Sequence, residues 1–101
     1  MLKKKFFKTK DVCDVTFMLP KEVKAKSAAV AGDFNSWDPT ATPLKKVKGT
    51  WKTTLRLDKG QEYQYRFVVN DSEWLTDKEA DKYVPNNVDG ENSVVVTSNG
   101  H

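Results

Sequence analysis

The sequence predicts an all-β domain, either a β-sandwich or a small barrel, built from about seven short antiparallel strands. Three observations on the 101 residues predict this class. Apolar and polar residues alternate over several short segments, and turn residues recur about every 8–12 positions. No segment carries a helical pattern of useful length. At this length the chain is expected to fold as one domain around one core.

Two segments show the period of two most strongly. In residues 11–19, Cys13 and Phe17 lie on one apolar face of the predicted strand. In residues 63–69, Tyr65 lies on the apolar face of a second predicted strand. Such alternation is typical of strands with one buried face. Further strands are predicted over 28–32, 51–57, 74–75 and 94–96.

The folded domain is predicted over residues 11–97. Residues 1–10 are expected to form a mobile arm or a weak first strand, and residues 98–101 a tail, because chain ends fray unless they are tied down. Residues 39–50 and 86–92 are predicted loops, since Pro, Thr, Lys, Asn and Gly are frequent in them. Residues 76–92 are polar and mixed in character.

The net charge of +3 is unevenly distributed. Residues 1–52 hold 12 lysines against 5 acids, a net of +7, whereas residues 53–101 hold 5 basic residues against 9 acids, a net of −4. A basic half can bind nucleic acid or an anionic membrane. The lysines are scattered rather than clustered among aromatics, so we expect neither partner and interpret them as a solvated face.

The start of the chain indicates a cytoplasmic protein. Its basic cluster lacks the apolar core and small-residue cleavage site of a signal peptide. No apolar run approaches the roughly 20 residues that a membrane span needs. One cysteine, Cys13, cannot form an internal disulfide, which agrees with a reducing compartment.

Catalytic machinery is hard to assemble from these residues. The one histidine is His101, the last residue, and Cys13 lies on an apolar face without a neighbouring base. No His/Cys pairs stand at metal-ligand spacing, and the glycines are too dispersed to cradle a phosphate. We therefore expect no enzyme activity, no metal and no cofactor.

A binding surface is easier to build. Trp37 follows turn residues and precedes Asp-Pro, Trp74 follows a hairpin turn, and Arg66 points away from the aromatic face of its own strand. Indole rings cover the apolar faces of sugars, while Arg and Asn side chains hydrogen-bond to their hydroxyls. Either tryptophan could instead belong to the core, which is the role that the alternation predicts for Trp51.

Several motifs together resemble the family 48 carbohydrate-binding modules. This family includes the glycogen-binding domain of the AMP-activated protein kinase β subunit and the N-terminal early-set domain of isoamylases and branching enzymes. The resemblance covers about residues 12–97. It is carried by Gly32-Asp33-Phe34-Asn35-Ser36-Trp37, by Tyr65-Arg66-Phe67-Val68-Val69, by Trp74, and by Asn92 ahead of Val94-Val95-Val96.

The resemblance implies an immunoglobulin-like, early-set antiparallel sandwich that binds α-1,4-glucans such as glycogen, starch or maltooligosaccharides without catalysis. By motif, the carbohydrate-binding residues are Trp37, Arg66, Trp74 and Asn92. Arg66 stands where the kinase-type domains have a lysine, which changes the contact geometry. Val88 stands about where those domains have a leucine that grips the sugar chain.

Two other functions stay open at this point. The domain could be a protein-interaction module that docks on a separate glucan-processing enzyme or self-associates, with its tryptophans as a hot spot and no sugar binding. Weak nucleic-acid binding through the basic half is a third possibility, and it would depend steeply on salt.

Overall fold

The computed structural model describes residues 2–20, 23–86 and 90–97, and it confirms the predicted immunoglobulin-like, all-β antiparallel sandwich. Nine strands and a 3-10 turn lie in these ranges. The strands are β1 (Leu2–Phe6), β2 (Val12–Met18), β3 (Ala28–Gly32), β4 (Lys45–Val47), β5 (Thr50–Asp58), β6 (Glu62–Val69), β7 (Glu73–Leu75), β8 (Lys82–Asn86) and β9 (Gly90–Val96). The 3-10 turn covers Asp33–Asn35, directly after β3.

The strands form two antiparallel sheets. The first sheet has the order β1-β2-β5-β4. The second sheet has the order β3-β6-β9-β8, and the short strand β7 also pairs with β6. Strand β6 is therefore the central element of the second sheet, with neighbours on both sides.

The core lies between the sheets and consists mainly of residues that alternation assigns to the inner faces. Phe17 of β2 and Tyr65 of β6 are fully buried, with ring centroids 4.9 Å apart in an edge-on arrangement. Phe67 contacts the same tyrosine at 5.9 Å, and Phe34 turns back from the 3-10 turn to lie 5.4 Å from Phe17. Trp51 packs partly buried against this core, as predicted.

Cys13 is a small core residue, as its position on the apolar face predicts. Its side chain is fully buried. Burial also raises the pKa of the Cys13 thiol. Because the nucleophilic form of cysteine is the thiolate, this thiol is poorly suited to react.

Strands β4 and β8 form where the sequence predicts loops or mixed polar structure. Strand β9 also begins at Gly90, inside the predicted loop 86–92. Among the described residues, strand β8 is the last in its sheet and is paired with β9. An edge strand of this kind tolerates Pro85, which has no N–H to donate. An edge strand that faces water needs no apolar alternation, and for this reason the pattern does not reveal it.

Strand β1 is attached to both sheets. It pairs with β2 over its whole length. In addition, the Lys4 ammonium lies 2.6 Å from Oδ2 of Asp81, just before β8. The same carboxylate accepts a hydrogen bond from the backbone N–H of Val96 at 2.8 Å.

The predicted tail at 98–101, which includes His101, lies outside the described residues.

One buried polar contact connects β6 to the segment before β8. The hydroxyl of Tyr65 donates to Oδ2 of Asp77 at 2.7 Å, and Asp77 is 2% exposed. The backbone N–H of Asp77 donates to Oγ of Ser93 at 2.7 Å. Burial, reinforced by the neighbouring Asp77 charge and hydrogen bond, raises the pKa of Tyr65 well above its usual range, so the hydroxyl stays a donor.

Replacing Tyr65 with phenylalanine should therefore lower the free energy of unfolding by about 2 kcal/mol, because a buried carboxylate loses one of its hydrogen-bond donors. Urea denaturation measures this loss. Tyr63→Phe is the matched control, since that hydroxyl lies in an exposed contact with the backbone of Asp58. Equal losses in the two variants would contradict a special role for the Tyr65–Asp77 contact.

Candidate functional site

The motif Gly-Asp-Phe-Asn-Ser-Trp folds into a tight turn that leaves the second sheet at the end of β3. Gly32 lies so close to β6 that a Cβ atom built on it would meet the Gln64 carbonyl oxygen at 2.4 Å. Asn35 closes the turn, because its Oδ1 accepts from the Gly32 N–H at 3.0 Å and its Nδ2 donates to the Val30 carbonyl at 3.0 Å. Gly32 and Asn35 of the motif therefore have structural roles within the turn.

Trp37 follows this turn in a left-handed backbone conformation, with φ of 60° after Ser36 at 59°. Its indole Nε1 donates to Oδ1 of Asp33 at 3.0 Å. The other oxygen of that carboxylate, Oδ2, accepts from the backbone N–H of Gln64 at 2.8 Å. Asp33 therefore connects the indole to strand β6 and sets the orientation of the ring.

The Trp37 ring is half-buried on the outer face of the second sheet. It packs against a small apolar cluster formed by Ala29, Ala31 and Val68. These side chains point away from the core, because their neighbours Val30, Phe67 and Val69 point into it. The two alanines leave room for an indole to lie over β3.

Trp74 lies on the same outer face, next to that cluster. In the β6–β7 ladder it stands directly opposite Val68, so the two side chains share a face. The hairpin before it turns through Asn70 and Asp71, both with positive φ, at 55° and 63°. Trp74 is 36% exposed, which leaves part of its ring open to solvent.

Arg66 lies on β6, opposite one alanine of the cluster that Trp37 covers and within hydrogen-bonding distance of Trp74. It stands opposite Ala31 in the β3–β6 ladder, and its Nη2 donates to the Trp74 carbonyl oxygen at 3.2 Å. The guanidinium therefore reaches from β6 toward β7. Glu62, four residues before Arg66 on the same strand, forms an ion pair with Lys82, with 3.1 Å between Nζ and Oε2.

Asn92 lies on β9, on the same outer face. Its Nδ2 donates to Oε1 of Gln64 at 3.0 Å, and its Oδ1 accepts from Nδ2 of Asn86 at 3.1 Å. The structure thus brings all four predicted residues, Trp37, Arg66, Trp74 and Asn92, onto the outer face of the second sheet. Val88 lies outside the described residues.

The structure adds three residues that the sequence reasoning did not assign to the candidate site, namely Asp33, Gln64 and Asn86. Alternation alone places the side chains of Gln64 and Arg66 on the same face, because the two residues are two positions apart on one strand. The roles of Asp33 and Asn86 depend on contacts that no local pattern reveals.

Beside Trp37, hydrogen bonds from the hydroxyl and backbone N–H of Thr40 hold the pKa of Asp38 below its usual range.

Residues 22–85 match the model of one protein family, carbohydrate-binding module 48, the isoamylase N-terminal domain. This match covers more than half of the chain. The chain belongs to this family. The matched range contains Trp37, Arg66 and Trp74, whereas Asn92 lies beyond its end. Membership of carbohydrate-binding module 48 supports carbohydrate binding in general, because the family consists of non-catalytic binding modules.

Two curated proteins are similar to part of this carbohydrate-binding module. Both are named 1,4-alpha-glucan branching enzyme GlgB 2, and they come from two strains of Xanthomonas campestris pv. campestris. Each is 36% identical over 53 residues, which is 50% of this chain. The similar stretch makes up 7% of each enzyme, so the chain resembles one small part of a much larger protein.

Two further observations concern membranes and metals. No helix in residues 2–20, 23–86 and 90–97 is both long and apolar enough to cross a membrane. Within the same described residues, His, Cys, Asp and Glu side chains nowhere gather in the groups of three or more that could hold a metal ion.

Proposed function

We propose that this chain binds α-1,4-glucans, such as glycogen, starch or maltooligosaccharides, without catalysing a reaction on them. The binding surface is the outer face of the second sheet, with Trp37 and Trp74 as the platform and Arg66 and Asn92 as hydrogen-bonding groups. One observation carries the proposal: both tryptophans lie beside Val68 on the same outward face.

The surface has the chemistry that a sugar chain needs. Indole rings cover the apolar C–H faces of pyranose rings, and the guanidinium and amide groups supply donors and acceptors for hydroxyls. Asp33 already holds the Trp37 ring through its Nε1, so less side-chain freedom is lost on binding. The face is open, and a bound glucan would stay partly solvated. We therefore expect a Kd on the order of 10 μM to 1 mM.

The similar proteins support the choice of linkage. Both are named as 1,4-alpha-glucan branching enzymes, and each is 36% identical to this chain over 53 residues. A glucan with α-1,4 linkages is therefore the first ligand to test on this chain. The cytoplasmic location stays a prediction from the sequence.

The direct test is a titration of intrinsic tryptophan fluorescence with maltoheptaose, with cellohexaose as the control. We expect a saturable change with the α-linked sugar alone, because Trp74 is partly exposed and would be covered by the ligand. A folded sample that responds to neither sugar would contradict the proposal. An equal response to both sugars would contradict the linkage preference.

One observation favours protein interaction as a second candidate function. Trp74 borders a mainly apolar groove of about 380 Å³, lined also by Leu19, Val23, Phe67 and Leu75. An exposed tryptophan beside an apolar groove is typical of an interface hot spot. The partner would be a separate glucan-processing enzyme or a second copy of the chain. Gel filtration over a range of concentrations, with and without maltoheptaose, distinguishes a sugar-independent dimer from a monomer that binds sugar.

A further inference from the structure

A row of hydrogen bonds, joined through the backbone and the side chain of Gln64, crosses the outer face of the second sheet. It starts at the Trp37 indole, which donates to Asp33, and Asp33 accepts from the backbone N–H of Gln64. From the side chain of Gln64 the row continues to Asn92 on β9 and to Asn86 on β8. Three amide side chains on three adjacent strands thus extend the proposed sugar surface beyond the tryptophans.

The three amides share one direction of donation. Asn86 donates to Asn92 at 3.1 Å, and Asn92 donates to Gln64 at 3.0 Å, so Gln64 is the last acceptor in the row. Within the described part of the chain, the Nε2 group of Gln64 takes part in no hydrogen bond. Hydrogen bonds in a row polarise one another, which makes the N–H groups of the terminal amide stronger donors.

The position of Gln64 places this donor beside the other groups of the surface. Gln64 lies two residues before Arg66 on β6, so both side chains leave the same face of the strand. Its side chain is half-buried, and its backbone is held by the carboxylate that also orients Trp37. A ligand that rests on Trp37 and reaches Asn92 therefore passes over Gln64.

We infer that Gln64 is a fifth sugar-binding residue, which donates hydrogen bonds from Nε2 to the hydroxyl oxygens of a neutral glucan. This inference rests on the proposed function. The amide row selects an uncharged ligand that is rich in acceptor oxygens, because it presents N–H donors without a net charge. Asn86 and Asn92 act on Gln64 by fixing the orientation of its amide.

A double-mutant cycle tests whether Gln64 contacts the sugar directly or acts only through Asn92. Affinity for maltoheptaose is measured by NMR titration of the wild type, Gln64→Ala, Asn92→Ala and the double variant. Loss of one neutral hydrogen bond should weaken binding about fivefold in Gln64→Ala. A direct contact predicts a further measurable loss when Gln64→Ala is added to Asn92→Ala. This loss should be smaller than in the wild-type background, because Asn92 also orients the Gln64 amide.

The controls separate this inference from the proposed function. Gln61→Ala is the matched variant, since Gln61 is exposed and its contacts with Thr97 are made by its backbone. It should bind as the wild type does, and amide spectra check that every variant is folded. If the double variant binds no more weakly than Asn92→Ala, Gln64 only positions Asn92 and the inference is wrong. If the wild type itself fails to bind, the proposed function is wrong.

Discussion

Replacing Trp74 with alanine should weaken glucan binding at least tenfold while the domain stays folded. Trp74 is 36% exposed and lies on the three-residue strand β7, so few core contacts depend on its ring. In the proposed mode of binding, the ring supplies a large share of the apolar contact with the sugar, and its loss should weaken affinity at least tenfold, or about 1.4 kcal/mol. Titration with maltoheptaose measures the affinity, and urea denaturation measures the stability.

Tyr83→Ala is the matched control for this variant. Tyr83 is an aromatic residue with the same 36% exposure, but it points to the other side of β8 from Asn86. It should keep wild-type affinity. Trp37→Ala should also lose binding, together with some stability, because that ring covers Ala29, Ala31 and Val68. Unchanged binding by Trp74→Ala would rule out the two-tryptophan platform.

Replacing Gly32 with alanine should produce the largest loss of stability. The added Cβ would lie 2.4 Å from the Gln64 carbonyl oxygen and 2.9 Å from Cβ of Tyr65, and neither belongs to a flexible chain end. Strands β3 and β6 would have to separate locally, at a cost on the order of 3 kcal/mol. Urea denaturation of the variant should show this decrease in the free energy of unfolding.

Gly49→Ala provides the comparison for this prediction. Gly49 has φ of +82°, and a Cβ built there meets nothing within 4 Å. Its replacement should cost about 1 kcal/mol through backbone conformation alone. Because Gly32 has an extended backbone with φ of −173°, any greater loss there comes from steric overlap. A loss at Gly32 no larger than that at Gly49 would show that the two strands can adjust without difficulty.

The strands that bury one face could be predicted from the sequence. In β2 and β6, apolar residues recur at every second position, because one side of each strand meets the core and the other side meets water. The edge strands β4 and β8 could not be predicted in this way. All three residues of β4 are exposed, and β8 contains a proline, so neither carries the pattern that burial imposes.

The sequence by itself determined the fold class, the core faces of the longer strands and the outward direction of Arg66 and Gln64, since these follow from local alternation. Only the tertiary structure decided which residues meet on the outer face. Trp74 stands opposite Val68, and Asn92 bonds to Gln64 across 28 positions of sequence. Such contacts depend on the register between strands, and packing of the whole core sets that register.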